Sequence, residues 1–352
     1  MMSDKKYFTR MGDGSMIYLT EAEIREDISA GVADAAKRGK IPPLSEDEMD
    51  HIFDICTMPG GVVGVAIEDT IVSTSDSGSD KISTKNGIPV DRSINAMIHE
   101  RVLGADSVDI GNEDYNFKTV KGIAKREAGV LKNALKMTTL PVFYGAMPNL
   151  GFYTKPDGPV DNWAVLLPEG KIKEAMAAQE EAVEHAVKDI VYVAEQMYDV
   201  GADGINLDTC GAAGDADFLA ALLATEIIRE KFPDLGVEIG MAGEFVLGMH
   251  GKLEYKGKRL AGLFAHDQVK LAEAAGASIF GPVVNTNSNM TFPWNIARVC
   301  TFIKACSEAA NIPIHANAGM GVCGIPMSEN LPVDVVSRAD KCMIEICKID
   351  GL

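Results

Sequence analysis

The sequence predicts an α/β fold: a TIM-type (β/α)8 barrel, incomplete in this chain, preceded by a helical segment. From about residue 105, short apolar segments alternate with longer segments of helical periodicity, as in parallel sheets whose strands are joined by helices. Polar residues cluster after each apolar segment, which is typical of a barrel whose site lies at the strand ends. No G-x-G-x-x-G motif follows the first segment, so the alternative, a doubly wound dinucleotide-binding sheet, lacks its main support.

The N-terminal segment predicts a helical lead-in. Thr20 and Ser45 each stand where a helix N-cap is expected, and they predict helices over 21–39 and 46–58. The segment 62–76 is rich in β-branched residues, and we expect a short strand pair there that covers one end of the barrel.

The repeated units predict about six strands and the start of a seventh. The predicted strands are 105–111, 140–148, 201–209, 236–244, 276–285 and 312–319. The clearest predicted helices are 169–200, 216–232, 265–275, 292–310 and 333–349. Asp350 then begins what reads as a further strand. We therefore predict two domains, an N-terminal helical and β-rich extension over 1–100 that packs on the barrel, and the barrel over 101–352.

Composition narrows the class of protein. With 33 basic and 51 acidic residues the formal net charge is −18, which argues against a nucleic-acid partner because phosphate binding needs a basic face. The acidity fits either a cationic substrate or ordinary solubility charge. No apolar run is long enough to cross a bilayer and the N-terminus has no signal-peptide core, so we expect a cytoplasmic protein. The seven cysteines form no C-x-x-C pair, which favours reduced thiols over disulfides or a zinc site.

Carboxylates and amides dominate the predicted strand ends, where barrel enzymes carry their active sites. The residues singled out there are Tyr144, Asp208, Glu244, Asn285, Asn287, His315 and Asn317. Met147, Asn206, Cys210, Thr286 and the run 111–115 occupy the same kind of position. Such a set can recognise an ammonium group and can move protons. For any one carboxylate, a helix N-cap is the structural alternative.

Histidines offer a weaker case for a site. His315 lies near a strand end beside Asn317, so it is either a site residue or a packed, hydrogen-bonded one. A metal centre built from His250, His266 and His315 would have a spacing that fits no known ligand motif, and we therefore predict no metal.

Two cysteines and two aspartates have competing interpretations. Cys210 and Cys323 are candidate nucleophiles, but neither has a paired base nearby in sequence, and a buried thiol is the commoner state. Asp215 and Asp217 follow a glycine-rich turn and are better explained as helix caps than as site residues.

Long strings over nearly the whole chain resemble the pyrrolysine-containing dimethylamine methyltransferases of methanogenic archaea. They are RMGDGSMIYLT at 10–20, HERVLGADSVDIGNEDYNFKTVK at 99–121, PVFYGAMPNLGFYTKPDGP at 141–159, GADGINLDTCGAAGDAD at 201–217, EIGMAGEFVLGMHGKLEYKGKRLAGL at 238–263, FGPVVNTN at 280–287 and GMGVCGIPM at 319–327. The resemblance continues to the last residue.

The resemblance implies an activity in methanogenesis from methylamines. Enzymes of this family move a methyl group from dimethylamine to the Co(I) corrinoid of a cognate partner protein and leave monomethylamine. Their electrophile is pyrrolysine, encoded by an in-frame UAG codon, and the segment that resembles MIEICKIDGL is followed directly by it. We therefore expect pyrrolysine just after Leu352, no directly bound cofactor, and a homo-oligomer for the full-length protein. The 352-residue chain alone should be inactive and prone to aggregation.

By position, the resemblance also implies roles for the strand-end residues. Glu244 is the expected proton donor to the pyrroline ring, and Asp208 is the second expected catalytic group. Asn285 and Asn287 are expected partners of the ring or substrate nitrogen, and His315, Asn317 and Tyr144 are expected to line the same cavity. The alternatives are a pyrrolysine-free paralogue that binds or regulates the corrinoid protein, and an unrelated metal-dependent barrel methyltransferase or lyase.

Overall fold

In the computed structural model, strands and helices alternate along most of the chain. The structure describes residues 5–66, 71–76, 90–111, 120–145, 149–212, 214–248, 251–317 and 331–352. The strands are β1 (Lys6–Arg10), β2 (Met16–Thr20), β3 (Thr74–Asp76), β4 (Ser107–Asp109), β5 (Val142–Gly145), β6 (Gly204–Cys210), β7 (Gly236–Met241), β8 (Glu254–Tyr255), β9 (Lys258–Arg259) and β10 (Ile279–Gly281). The helices are α1 (Glu21–Gly39), α2 (Glu46–Thr57), α3 (Arg92–Arg101), α4 (Val120–Ala134), α5 (Trp163–Leu166), α6 (Ile172–Tyr198), α7 (Asp215–Lys231), α8 (Ala265–Ala275), α9 (Phe292–Ala309) and α10 (Val333–Cys347).

Six strands form one sheet in the order β3, β4, β5, β6, β7 and β10. Each strand lies beside the one that precedes it in this series, and the registers from β3 through β7 are parallel. A doubly wound sheet reverses its strand order at a switch point, whereas a barrel adds strands in one direction. The uninterrupted order therefore confirms the prediction of an incomplete (β/α)8 barrel.

Two of the strand predictions are wrong in detail. The segment 62–76 does not form a separate strand pair in its described part, because β3 joins the sheet and pairs in parallel with β4. In the described part of the predicted strand 312–319, which ends at Asn317, only Ile314 and His315 form bridges, and His315 pairs with Gly351. Whether a short segment forms a strand depends strongly on the strand it pairs with, so segments of this length are hard to predict from their own sequence.

The two faces of the sheet differ in what covers them. Tyr144, Ile205 and Val237 are level with one another in the parallel register, and the Tyr144 hydroxyl reaches Glu127 on α4. This face, called the helix face below, packs against the helices. Alternate residues point to the opposite face, called the inner face, because side chains along a strand alternate.

The chain divides into two compact units. The first comprises residues 1–71, 264–270 and 281–352, and the second comprises 72–263 and 271–280. The six-stranded sheet lies in the second unit, apart from Gly281. The predicted boundary at residue 100 stays a prediction.

The first unit is built on helices with strong local signals. Thr20 and Ser45 are both N-caps in complete capping boxes, so these two predictions are confirmed. The hairpin of β1 and β2, which the sequence analysis did not predict, precedes α1 directly. A Cβ added at Gly31 would lie 2.3 Å from the carbonyl oxygen of Trp294, so α1 approaches α9 at backbone distance.

Candidate functional site

Polar residues of β4, β6 and β7 share the inner face of the sheet, in which β5 lies between β4 and β6. Asp109 on β4 is opposite Phe143 on β5, whose ring covers the inner face at Gly204. Asn206 on β6 is opposite Glu238 on β7. The parallel register and the two-residue period therefore place these three polar residues on one face.

A short hydrogen bond links two of them. The amide nitrogen Nδ2 of Asn206 donates to Oδ2 of Asp109 over 2.6 Å. This bond directs the amide oxygen Oδ1 of Asn206 elsewhere, and that buried oxygen accepts no hydrogen bond from a described residue. A buried acceptor without a donor is costly, so the site is suited to a ligand that brings N–H groups.

Glycines keep the space beside these oxygens free of side chains. A Cβ at Gly145 would lie 2.8 Å from Oδ1 of Asp109. A Cβ at Gly240 would lie 3.3 Å from Oδ1 of Asp208 and 3.5 Å from Oδ1 of Asn206. Glycine at these two positions therefore lets the Asp109 carboxylate lie against β5 and the Asn206 and Asp208 side chains lie against β7.

Asp208 and Glu244, the two predicted catalytic residues, stand at the ends of adjacent strands. Asp208 lies two residues beyond Asn206, is exposed, and accepts a hydrogen bond from the amide of Thr209 over 2.8 Å. Glu244 follows β7 by three residues and is 4% exposed, and Glu238 is 7% exposed. This end of the sheet thus holds several carboxyl groups. Their oxygens accept hydrogen bonds and attract a cation that carries hydrogen-bond donors.

Tyr144 lies on the helix face and not with these residues. It is fully buried, and its hydroxyl donates to Oε2 of Glu127 over 3.1 Å. This placement does not support the prediction that Tyr144 lines a substrate cavity. The strand-end rule selected it without regard to the alternation of faces.

Glu127 is the centre of a buried cluster behind the sheet. Arg92 donates to it through both terminal nitrogens, over 2.6 Å and 2.8 Å, and Arg126 donates from the surface side. Burial opposes ionisation of Glu127, but the hydrogen bonds and charges of Arg92 and Arg126 outweigh it and lower the pKa of the carboxyl group. Glu127 is therefore a carboxylate at neutral pH.

Asn285 and Asn287, two of the predicted substrate-binding residues, form hydrogen bonds with nearby parts of the first unit. The carbonyl of Asn285 accepts a hydrogen bond from Arg298 over 3.1 Å. Asn287 exchanges two hydrogen bonds with the side chain of Asn295, and its own Oδ1 accepts from the amide of Asn289. Both side chains lie in an exposed turn before α9, and their predicted substrate contacts stay predictions.

His315 and Asn317 lie beside the last residues of the chain. His315 is half-buried and forms a parallel bridge with Gly351, and the amide of Ala316 donates to the carbonyl of Gly351 over 2.9 Å. Asn317, two residues further on, is exposed. The segment that ends at Leu352 therefore pairs as a strand with the segment that holds both predicted residues.

Burial decides whether Cys210 is a candidate nucleophile or a buried, unreactive thiol. Its thiol is fully buried, and burial followed by the charges of Asp217 and Asp208 raises its pKa well above the usual value. A thiol that stays protonated is a poor nucleophile, so the structure favours a buried, unreactive Cys210. Cys323 lies outside the described residues.

The predicted helix caps at Asp215 and Asp217 are wrong. The N-cap of α7 is Gly214, and both aspartates lie in the first turn of the helix. Carboxylates favour that position because of the partial positive charge of the helix N-terminus.

Metal-ligating residues do not cluster in the part of the chain that the structure describes. No group of three or more His, Cys, Asp or Glu residues there could hold a metal ion. His250 of the hypothetical histidine site lies outside the described residues, as do Met147 and residues 112–115 of the first strand end.

Asp109 and Glu238 were missed because they lie within strands and not after them. Both stand in short segments where apolar and polar or glycine residues alternate, VDIG at 108–111 and VEIG at 237–240. In a strand with one face on the helices, the polar half of that alternation marks the inner face. The pattern could have found them.

Comparisons with known proteins add a family and a set of similar structures. A family model described as dimethylamine methyltransferase (Dimeth_PyL) matches residues 5–352. Similar solved structures include dihydropteroate synthase from Xanthomonas albilineans, with 15% identity, 81% of this chain and 85% of that chain covered, and a TM-score of 0.41. Pyruvate carboxylase from Rhizobium etli has 13% identity, 81% and 23% coverage and a TM-score of 0.43. Likeness at these identities and TM-scores carries no functional information. Within the described residues, no helix is both long and apolar enough to span a membrane.

Proposed function

Because the chain belongs to the dimethylamine methyltransferase family, we propose that it demethylates dimethylamine with a corrinoid protein as the methyl acceptor. In the overall reaction, the carbon–nitrogen bond of dimethylammonium breaks and its electron pair stays on nitrogen, which gives monomethylamine. The methyl carbon bonds to cobalt, which passes from Co(I) to methyl-Co(III). The family match over residues 5–352 carries this proposal.

The inner face supports the substrate class. Dimethylammonium is a cation at neutral pH, with two N–H donors and two methyl groups. Asp109 supplies negative charge, and the Oδ1 atom of Asn206 is an acceptor without a described donor. We propose that these two residues hold the ammonium group.

The two predicted catalytic carboxylates have proposed roles of their own. Asp208 is exposed and lies two residues after Asn206 on β6. We propose that its negative charge attracts the ammonium ion into the site. Glu244 is buried at the end of the neighbouring strand, and we assign it the proton transfer to the pyrroline ring.

A residue that follows Leu352 would continue the strand that pairs with His315. In the parallel register, His315 is opposite Gly351, so the position two residues beyond Gly351 would be level with Asn317. We propose pyrrolysine at that position, which would supply an electrophilic imine carbon. The amide side chain of Asn317 and the imidazole of His315 offer hydrogen-bonding groups beside it.

The cellular setting is part of the same proposal. We propose a cytoplasmic enzyme of methanogenesis from methylamines that forms a homo-oligomer and acts with its cognate corrinoid protein. The corrinoid belongs to that partner.

A methyl-transfer assay tests the proposed function. The full-length protein is mixed with the corrinoid protein, reduced to Co(I), and with monomethylamine, dimethylamine or trimethylamine in turn. We expect dimethylamine alone to convert the Co(I) absorption spectrum to that of methyl-Co(III), with one monomethylamine released per cobalt methylated. Conversion that does not depend on an amine, or that prefers another amine, would contradict the proposal.

The nucleotide sequence after codon 352 separates the proposal from the pyrrolysine-free paralogue. A UAG codon followed by an open reading frame supports pyrrolysine. Another stop codon with no coding sequence beyond it would exclude pyrrolysine and leave the corrinoid-binding or regulatory subunit as the better account.

A further inference from the structure

Behind the inner face, the helix-face cluster of Arg92, Glu127 and Tyr144 ties two strand ends together. Glu127 is fully buried, and its Oε2 accepts from both Arg92 and the Tyr144 hydroxyl. The same Arg92 nitrogen, Nη1, also donates to the carbonyl oxygen of Gly111 over 3.0 Å. One guanidinium and one carboxylate thus connect α3, α4, the end of β4 and a side chain of β5.

Asp109 lies between the two places where the cluster contacts the sheet, which are Gly111 after β4 and Tyr144 on β5. Gly111 is two residues beyond Asp109 on the same chain segment. Tyr144 stands between Phe143, which is opposite Asp109, and Gly145, where a Cβ would lie 2.8 Å from the Asp109 carboxylate. A Cβ at Gly111 would itself lie 2.6 Å from the carbonyl oxygen of Gly145. The two strand ends are therefore close, and a small change in their separation moves the carboxylate.

Stability alone is a weak reason for this arrangement. Removing a glutamate and an arginine from water costs free energy that their mutual attraction often only offsets. What the pair does provide is geometry, because a two-pronged arginine–carboxylate contact fixes both orientation and distance. Nη1 of Arg92 also donates to the carbonyl oxygen of Gly111. The arginine–carboxylate pair therefore also fixes the position of the segment that carries Asp109.

We propose that Arg92, Glu127 and Tyr144 are positioning residues that hold the Asp109 carboxylate against Asn206. The role of Asp109 in amine binding rests on the proposed function, but the positioning itself does not. The cluster touches no substrate and acts through the separation of β4 and β5. The structural result of this positioning is the 2.6 Å hydrogen bond between Asn206 and Asp109.

Nuclear magnetic resonance of the Asn206 side chain tests the positioning without any amine. In the full-length protein labelled with 15N-asparagine, the Nδ2 proton that donates to Asp109 should resonate downfield and exchange slowly with solvent. Tyr144→Phe should shift that signal upfield and speed its exchange. Tyr153→Phe is the matched control, since Tyr153 is also a buried tyrosine whose hydroxyl donates to a carboxylate, Asp189, over 2.8 Å.

Amine affinity tests whether the cluster acts through Asp109. Tyr144→Phe should raise the dissociation constant of dimethylammonium about fivefold, the loss expected for one hydrogen bond, and Arg92→Lys should raise it further. In an Asp109→Asn background, Tyr144→Phe should have no further effect, because the group that it positions has lost its charge.

The outcomes separate the inference from the proposed function. An Asn206 signal that Tyr144→Phe leaves unchanged, or that Tyr153→Phe changes equally, would overturn the positioning role. So would an equal loss of amine affinity in the presence and absence of Asp109. If the unmodified protein binds no dimethylammonium while the Asn206 signal responds to Tyr144→Phe alone, the proposed function fails and the positioning role stands.

Discussion

Asp340, on α10, carries a carboxyl group that burial keeps partly protonated at neutral pH. Its Oδ1 is buried and accepts no hydrogen bond from a described residue, and burial raises the pKa of the group from 3.8 to about 7. The folded chain therefore binds a proton that the unfolded chain releases. Stability falls as the pH rises from about 4 to 7 and stays at its lower value above that range.

Asp340→Asn removes this cost, so we expect it to raise the urea midpoint of unfolding at pH 8. The gain should shrink toward zero as the pH is lowered toward 4, where the Asp340 carboxyl group of the folded protein is protonated and as uncharged as the asparagine that replaces it. Asp54→Asn, at an exposed carboxylate of α2, should give no such pH-dependent gain. A constant difference across the pH range would show that Asp340 is ionised in the folded protein.

Position along the chain is enough to place a residue at a strand end, but it does not give the orientation of the side chain. Asp208 and Glu244 were singled out because they end strands, and their catalytic roles stay predictions. Tyr144 was assigned to the cavity although alternation places it with Ile205 on the helix face. Asp109 was missed because the strand-end rule passes over residues within strands. Alternation marks its face, but its hydrogen bond to Asn206, 97 residues away, cannot be read from its own segment.

Helix packing offers a sharper test at the scale of elements. Gly31 on α1 and Gly129 on α4 are both interior helix glycines, but a Cβ at Gly31 would lie 2.3 Å from a backbone oxygen of α9, whereas one at Gly129 would meet nothing within 4 Å. Gly31→Ala should therefore destabilise the protein by about 1–3 kcal/mol. Gly129→Ala should stabilise it by about 0.5–1 kcal/mol, because alanine favours the helix. A Gly31→Ala variant that is as stable as the unmodified protein, or more stable, in chemical unfolding would refute the close packing of α1 on α9.

The capping box of α1 makes a smaller contribution. Thr20→Ala removes the acceptor for the Glu23 amide, and we expect a loss of about 1 kcal/mol in the free energy of unfolding. Thr20→Ser, which keeps the hydroxyl, should retain most of that stability. Equal losses for both variants would mean that the hydroxyl is not the source.

Helices were predictable because their signals are local. The range 265–275 matches α8 to the residue, and the capped helix 21–39 matches α1. The strand β3 was not placed correctly, since three residues carry too little pattern to reveal that their partner is β4. The same reason applies to the described residues 312–317, where only Ile314 and His315 form bridges.

At the scale of the whole molecule, strand order decides the fold and family membership decides the activity. The sheet from β3 to β10 shows the barrel order directly. Its inner face shows that a cation with N–H donors would find acceptors. The corrinoid protein is proposed as the methyl acceptor from family membership and not from the sheet.

Full-length protein and the product that ends at Leu352 should differ in activity. If pyrrolysine follows Leu352, expression with UAG suppression should give amine-dependent methylation of the corrinoid protein, and the 352-residue product should give none. The comparison uses the two proteins at equal concentration with the same partner. Equal activity would mean that the chemistry does not need a residue beyond Leu352.

The central structural claim is that Asp109 and Asn206 hold the ammonium group of the substrate. Calorimetric titration of the full-length protein with dimethylammonium measures this directly. We predict that Asp109→Asn weakens binding at least about tenfold, as expected for the loss of a charged hydrogen bond. Asp199→Asn, at an exposed carboxylate after α6, should leave binding unchanged. Equal affinity for the unmodified protein and Asp109→Asn would contradict the claim.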